Sequence, residues 1–153
     1  MEDVFQKLIL MIRAYYPVLY LHSYEYYRTK QKIKGIVELL RREGKKVNYY
    51  QWDCVYGLVQ ILPDKTEKRI ERMQNPLEVL AYILNSKKSG EKNIFVLDDI
   101  NNHIDRDEVK LMFRKIAEAT NNNTHAIILS SIYRLPAELE KYITVLQIPL
   151  PKR

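Results

Sequence analysis

Short apolar runs bounded by polar residues recur along the chain and define its predicted strands. Such runs are typical of strands buried on both faces, as in a parallel sheet. The run Ile94-Phe95-Val96-Leu97 is the clearest, while Val47 to Trp52 alternates loosely and is rich in aromatic residues. Together these patterns predict strands near residues 18–22, 47–52, 94–99, 126–131 and 143–148.

Amphipathic helices are predicted between the strands, because apolar residues recur there at i, i+3 and i+4. One helix covers residues 4–12, and a second runs from about Glu25 to Arg42 before Gly44 ends it. Asn75-Pro76 combines a capping side chain with a proline suited to the first helical position, so a third helix begins there. Asp107 begins a fourth.

Alternation of strands and helices predicts an α/β fold, with a mostly parallel sheet and helices on both faces. Two segments are less regular. Residues 55–70 leave two alternatives open, a β-hairpin or an exposed excursion. The run Asn121 to Asn123 is expected to end the fourth helix.

Asp98 and Asp99 follow the most apolar strand, at the end where function collects in open α/β sheets. In nucleoside-triphosphatases such acids hold magnesium and orient the attacking nucleophile. The favoured alternative is a strand-end pair that caps a loop, since Mg²⁺ sites need phosphate or further acids. His22 and Glu25 are the nearest helpers for a metal nuclease. No metal is expected, and Asp98 and Asp99 are the weak candidates.

The turn after the first strand departs from the phosphate-binding loop G-x-x-x-x-G-K-[ST]. His22 and Tyr27 stand at both glycine positions. Arg28 stands at the lysine position, and Thr29 matches the final one. Because the loop needs close backbone approach and permissive φ angles, these side chains are expected to prevent a phosphate wrap. Ser23 is interpreted as an N-cap of the following helix.

Composition indicates one domain of 153 residues with an ordinary globular balance. Cys54 is the single cysteine, so no internal disulfide can form, and it is interpreted as a small buried hydrophobe. His103 and His125 are interpreted as loop residues. With no signal peptide and no membrane-length apolar run, a cytoplasmic protein without membrane contact is expected.

The formal net charge of +6 permits nucleic-acid binding, although the basic residues are spread among acids along the helices. Tyrosine is in excess, with 12 residues. The predicted partner surface around the first turn comprises Tyr24, Tyr26, Tyr27, Arg28 and Lys30. The alternative is that these tyrosines fill the volume that a nucleotide would occupy. A wider set, Tyr24, Tyr26, Tyr27, Tyr49 and Tyr50, could stack on bases or form a partner surface, and the alternative is that half of these five are core residues and half are peripheral.

Several stretches together resemble a family of AAA ATPases, typified by an uncharacterised open reading frame of algal chloroplasts and cyanobacteria. The chain is similar to the N-terminal third of that family, and the match rests on the order and spacing of residues 13–20, 75–80, 94–99, 135–141 and 143–146. In that family a degenerate nucleotidase-like domain precedes a complete AAA module.

The resemblance implies that residues 1–153 form a single AAA-like α/β domain, equivalent to the first domain of a longer ATPase. It implies a three-layer sandwich with a five-stranded parallel sheet in the order 5-1-4-3-2, like a P-loop nucleoside-triphosphatase without a functional P-loop. Asp98 and Asp99 would occupy the Walker B positions, and Ser131 would lie near the polar sensor position. The segment that presents an arginine finger is missing.

These features favour a non-catalytic domain that acts through protein–protein contact, in assembly or docking, within or beside an AAA ATPase. Its partner would be another protein or a second copy. ATP hydrolysis is not expected, because the phosphate cradle, its lysine, the usual glutamate and the arginine finger are all missing, and loss of a finger alone costs on the order of 10³ to 10⁵ in rate. ATP and Mg²⁺ are not expected as cofactors either. Two alternatives remain open, namely a weak ATP binder without turnover and a nucleic-acid-binding module that uses basic charge and tyrosines.

Overall fold

Seven strands and four helices form the fold of the computed structural model, which describes residues 2–119 and 123–149. The helices are α1 (Glu2–Arg13), α2 (Tyr26–Arg42), α3 (Pro76–Ser86) and α4 (Asp107–Glu118). The strands are β1 (Val18–His22), β2 (Val47–Asp53), β3 (Gly57–Ile61), β4 (Glu67–Ile70), β5 (Lys92–Asp98), β6 (Thr124–Ser130) and β7 (Thr144–Gln147). Short 3₁₀ helices cover Lys87–Ser89, Ile100–His103 and Ala137–Leu139.

The strands form one mixed sheet in the order β4-β3-β2-β5-β6-β1-β7. Five strands are parallel to their neighbours, but β3 runs antiparallel to β2, and β4 antiparallel to β3. The expectation of a five-stranded, wholly parallel sheet in the order 5-1-4-3-2 is wrong in strand number and direction, since β3 and β4 extend the sheet beyond β2 as antiparallel strands. The five predicted strands lie within this sheet in the order β7-β1-β6-β5-β2. Two expected relations are present: β5 is central, and β1 lies beside β6.

Both additional strands come from the segment in which a hairpin was one alternative, and they form it. β4 escapes a pattern-based prediction because its sequence, Glu67-Lys68-Arg69-Ile70, is mostly charged and exposed. It joins the sheet through backbone pairing with β3, from Leu58 opposite Ile70 to Ile61 opposite Glu67. Charged side chains on an edge strand oppose pairing with further chains.

Successive residues of the central strands point to opposite faces, and each face packs against two helices. Leu19 and Leu21 of β1 belong to the core that includes α1 and α2. Val18 and Tyr20 belong to the core that includes α3 and α4. The fold thus has three layers. Burial on both faces explains why the parallel strands are nearly continuous apolar runs.

Helix α3 begins as predicted, because the Asn75 side chain accepts a hydrogen bond from the Leu77 amide. The N-cap interpretation of Ser23 is wrong. Glu25 is the N-cap residue of α2 and makes no side-chain capping bond there. Gly44 follows the end of α2 at φ 86°, a left-handed conformation that glycine adopts without steric cost.

Cys54 and His125 also differ from expectation. Cys54 lies exposed in the turn between β2 and β3 instead of in the core. His125 is fully buried within β6, whereas His103 belongs to a 3₁₀ helix. Residues 121 and 122 of the asparagine run lie outside the described residues, and α4 ends at Glu118. No helix in the described ranges is long and apolar enough to cross a membrane.

Candidate functional site

The candidate site lies where the parallel strands β1, β2, β5 and β6 all end, because parallel strands bring their carboxyl ends to one edge of the sheet. Asp98 is the last residue of β5, and Asp99 follows it. Asp99 adopts φ 56°, which is uncommon for a residue other than glycine. The backbone therefore turns sharply between the two acids and sends their side chains to different partners.

Asp98 is held by an ion pair with Lys30 of α2, whose side chain is largely buried. The other carboxylate oxygen, Oδ1, is buried and has no hydrogen-bond partner among the described residues. Burial raises the pKa of Asp98, the ammonium of Lys30 opposes that shift, and the neighbouring carboxylates of Asp99 and Asp53 add to it. Lys30 is thus the internal counter-ion of a cluster of three acids.

Asp99 accepts two hydrogen bonds on Oδ1, from the hydroxyl of Tyr26 at 2.6 Å and from Ser130 Oγ at 3.0 Å. The same Tyr26 hydroxyl accepts a bond from the Ser131 amide at 3.0 Å. A single phenol therefore joins Asp99 and Ser131, two of the positions singled out from the sequence, and lies half-buried between them.

Tyr26 and Lys30 reach the acids together because they are four residues apart on the first turns of one helix. Sequence reasoning placed Arg28 at the lysine position of the phosphate loop. Arg28 is instead exposed, and its Nη1 lies 3.6 Å from Glu25 Oε2. The i, i+4 spacing of Tyr26 and Lys30 after a strand was the available signal. It identifies the two side chains of α2 that face the site.

The connection between β1 and α2 is short, and its polar groups bond to one another. The Ser23 amide donates to the Ser130 carbonyl at 2.9 Å, and the Glu25 amide donates to Ser23 Oγ at 3.1 Å. Ser23 Oγ also lies 2.9 Å from Thr29 Oγ1, and both residues are buried. Thr29 thus faces Ser23 rather than the acids.

His22 contacts strand β7 and the segment that follows β6, and it does not contact the acids. Its ring nitrogens lie 2.6 Å from Gln147 Oε1 and 3.0 Å from the Ser131 carbonyl. Of the sequence-predicted set, the structure brings Asp98, Asp99 and Ser131 to one place and directs His22 to another. Tyr27 is separate again, with 78% of its surface exposed.

An open cleft of about 460 Å³ lies beside the acids. It is lined by residues from α2, from the turn after β2 and from the 3₁₀ helix after β5, namely Tyr26, Asp53, Cys54, Val55, Tyr56, Asp98, Asp99 and Asn102. Asp53 is tied to its own turn, because its Oδ1 accepts from the amides of Val55 and Tyr56. Within the described ranges, no group of three or more acidic, histidine or cysteine residues has metal-binding geometry.

Large exposed side chains lie at the same edge of the sheet as this cleft, and two of them, Val55 and Tyr56, line it. We name as the rim the six such residues that follow β1, β2 and β6 on the connecting loops and the first turn of α2, which are Tyr24, Tyr27, Val55, Tyr56, Ile132 and Tyr133. Tyr24 is 61% exposed and Tyr56 is 63% exposed. The rim is therefore an aromatic and aliphatic surface at the same edge as an acidic cleft, and only two of its members, Tyr24 and Tyr27, were singled out from the sequence.

Buried polar side chains fix the loop that carries Ile132 and Tyr133. The Tyr20 hydroxyl donates to the Ile132 carbonyl at 2.6 Å, and Asn101 Nδ2 donates to the same carbonyl at 2.9 Å. The Tyr133 ring lies 5.6 Å from the Tyr20 ring and 6.0 Å from that of His22. This side of the rim is thus positioned by the core rather than left as a loose loop.

Comparison with known proteins adds the evolutionary context of this site. Residues 4–148 match the family described as SpoVK-like AAA ATPase, N-terminal domain. The uncharacterized AAA domain-containing protein ycf46 of Guillardia theta is 28% identical over 145 residues, which is 94% of this chain and 27% of that protein. The ycf46 proteins of Pyropia yezoensis and Trieres chinensis are 26% and 27% identical over 95% of this chain. The chain spans 27% to 28% of the length of these relatives.

Proposed function

Because the chain belongs to the family of SpoVK-like AAA ATPase N-terminal domains, we propose that it acts without catalysis, through protein–protein contact within or beside an AAA ATPase. The family membership confirms the resemblance stated from the sequence. The rim is the observation that carries the proposal, since it exposes four tyrosines and two aliphatic side chains at one edge of the sheet. One class of partner that we propose is the part of the longer relatives that lies outside the region matched by this chain.

The bonding of the vestigial nucleotide positions supports a role without ATP. A phosphate cradle needs unpaired backbone amides, but those of Ser23 and Glu25 already have partners within the domain. Lys30 neutralises Asp98 through Oδ2, and Tyr26 bonds to Asp99, so both acids already have partners within the domain, although Asp98 Oδ1 has none among the described residues. We propose that ATP and Mg²⁺ are not cofactors of this chain.

The tyrosines of the first turn divide between the two roles considered for them. Tyr26 is half-buried and hydrogen-bonded, as expected of a side chain that fills the site. Tyr24 and Tyr27 are exposed and lie near the exposed Arg28, as expected of a contact surface. Tyrosine and arginine are enriched at interface hot spots, because they bury large areas at modest entropic cost.

The test compares three alanine variants. Tyr24→Ala and Tyr27→Ala should leave the melting temperature nearly unchanged and weaken association by about 2 kcal/mol, roughly thirtyfold in Kd. Tyr26→Ala should lower stability by roughly 3 kcal/mol. Association is measured by sedimentation of the chain alone and with the purified Guillardia theta relative. Leu111→Ala, an exposed change on α4, is the matched control.

Three outcomes would contradict the proposal. The first is loss of stability in all three tyrosine variants with no change in any association, since the loop would then only fill the site. The second is a micromolar affinity for Mg-ATP, which would favour the weak ATP binder. The third is salt-dependent binding of DNA or RNA that survives Tyr27→Ala but not neutralisation of lysines, which would favour the nucleic-acid module.

A further inference from the structure

The amino-terminal edge of the sheet, opposite the rim, is lined by basic and aromatic side chains. Lys45 and Lys46 precede β2, and Lys88 precedes β5; all three are exposed. Tyr15 and Tyr16 precede β1, and they are also exposed. We name these five residues the basic edge. Like the rim, this surface consists of segments brought together by the parallel strands.

Buried cations add to the positive charge behind the basic edge. Lys92 is almost fully buried, and its Nζ lies 2.8 Å from His125 Nε2 and donates to the Ile12 carbonyl at 3.2 Å. Burial, assisted by the charge of Lys45, lowers the pKa of Lys92 to about 8. Glu91 is the neighbouring acid, and it already lies 3.0 Å from Lys46. At neutral pH this edge is therefore electropositive.

The cleft beside the rim carries charge of the opposite sign to that of the basic edge. Three carboxylates, those of Asp53, Asp98 and Asp99, line the cleft, and Lys30 pairs with one of them. Asp53 and Asp99 each help to raise the pKa of Asp98, which shows that the like charges are close enough to interact. The cleft thus keeps an excess of negative charge at the edge of the sheet that carries the rim.

We propose that the rim of one copy binds the basic edge of a second copy of this chain, head to tail. Charge complementarity between the two surfaces selects this occupant. Eight of the ten large apolar side chains exposed in the described part of the chain lie on these two edges. Since each copy carries both surfaces, the contact is heterologous and can be repeated from copy to copy. The inference rests on the proposed function and names its partner.

Two variants block one surface each. Asn102→Lys adds a positive charge to the cleft at an exposed residue. Lys45→Glu/Lys88→Glu reverses the charge of the basic edge at exposed residues. We expect wild type to self-associate with a Kd below about 1 mM, as a weak interface does. Each variant should raise this Kd at least about tenfold. Lys68→Glu/Lys115→Glu carries the same charge change on other surfaces and should associate like wild type.

A mixture of the two blocked variants gives the decisive measurement. Each keeps one intact surface, so an equimolar mixture should form 1:1 dimers in sedimentation velocity, whereas wild type also forms larger species. Thermal melts of each variant alone check that it is folded. Dimers that form in the mixture and not in either variant alone are the expected result.

Other results overturn the inference. If Lys45→Glu/Lys88→Glu associates like wild type while Asn102→Lys does not, the contact joins two rims. If wild type stays monomeric at about 1 mM, the second copy is not the partner. The proposed function is judged separately, by whether Tyr27→Ala weakens binding of the purified Guillardia theta relative. It can therefore survive a monomeric wild type, and it fails if neither association responds to Tyr27→Ala.

Discussion

Tyr26 shows how one side chain can take up the polar groups of a site. Its hydroxyl donates to Asp99 and accepts from the Ser131 amide, while its ring lines the cleft. Removal of the hydroxyl would leave a partly buried amide without its partner and a carboxylate with one donor fewer. Sequence reasoning placed Tyr26 in the partner surface, with filling of the nucleotide volume as the alternative, because the sequence does not show which side chains at the start of a helix turn inward.

Tyr26→Phe is expected to lower the free energy of unfolding by about 1.5 kcal/mol, because unpaired buried polar groups keep their desolvation cost. Urea denaturation gives the value. Tyr27→Phe removes the same hydroxyl from the neighbouring, exposed ring and should change stability by less than about 0.5 kcal/mol. Equal effects of the two changes would mean that the bonds of Tyr26 contribute nothing.

His125 is expected to make stability depend on pH. Its Nδ1 donates to the Tyr16 carbonyl at 2.6 Å, and its Nε2 accepts from Lys92, so the buried ring is neutral. Burial, with the charges of Lys92 and Lys87, lowers its pKa to about 4. The unfolded chain therefore binds a proton more readily between pH 6.5 and 4, and stability is lost as the pH falls through this range.

The loss should reach about 3 kcal/mol, at 1.36 kcal/mol for each unit of pKa shift. Urea denaturation between pH 7 and pH 4 measures this loss. Comparison with a variant that lacks His125 subtracts the contribution of other titrating groups. His125→Asn keeps a donor for Tyr16 and cannot titrate, so its pH dependence should be shallower. His103→Asn, on the 3₁₀ helix, should keep the wild-type slope. A slope unchanged in His125→Asn would contradict this origin.

At the scale of elements, the start of α2 organises the site, because its first turns carry both Tyr26 and Lys30. We expect Lys30→Met to lower stability by about 2 kcal/mol at pH 7, since Asp98 would lose its counter-ion; this figure is reduced for partial solvent exposure. Chemical denaturation measures it. Arg28→Met, two residues before Lys30 and exposed, should cost less than about 0.5 kcal/mol.

A second change distinguishes loss of the ion pair from loss of packing. Asp98→Asn removes the charge that Lys30 neutralises, so the double variant should be more stable than the sum of the single effects implies. Additive effects would mean that the two side chains contribute independently.

The elements with strong local patterns could be predicted from the sequence. The parallel strands are apolar because both faces are buried, and α3 begins at a capping side chain followed by proline. The hairpin strand β4 could not be assigned, because a charged edge strand has no buried face to leave a pattern. Ser23 was misassigned because its hydroxyl bonds to Thr29 and to an amide outside the helix.

The position of the site could be predicted from the sequence. The side chains that contact Asp98 and Asp99 were harder to predict. Asp98 and Asp99 could be located at a strand end, since the strand itself is unmistakable. Their partners depend on which side chains of α2 face the sheet, and that rotation is set by packing of residues such as Ile33 and Val37. The rim gathers side chains from the segments that follow three different strands, so no local stretch of sequence contains it.

At the scale of the whole molecule, we expect calorimetric titration with Mg-ATP to give no micromolar Kd. The reason is the engagement of the acids and of the β1–α2 amides by the domain itself. Asp105→Ala, an exposed acid outside the cleft, serves as the control. A micromolar Kd that disappears in Asp98→Ala but persists in Asp105→Ala would contradict this expectation.

The position of β1 inside the sheet has a consequence for synthesis of the chain. Val18 lies opposite Ala126, and Leu19 lies opposite Thr144, so both neighbours of β1 are made long after β1 itself. Until then, the apolar side chains of β1 have no strand beside them, and pairing over such separations is slow. Synthesis must therefore pass β6 and β7 before these strands can shield β1 from chaperones and proteases.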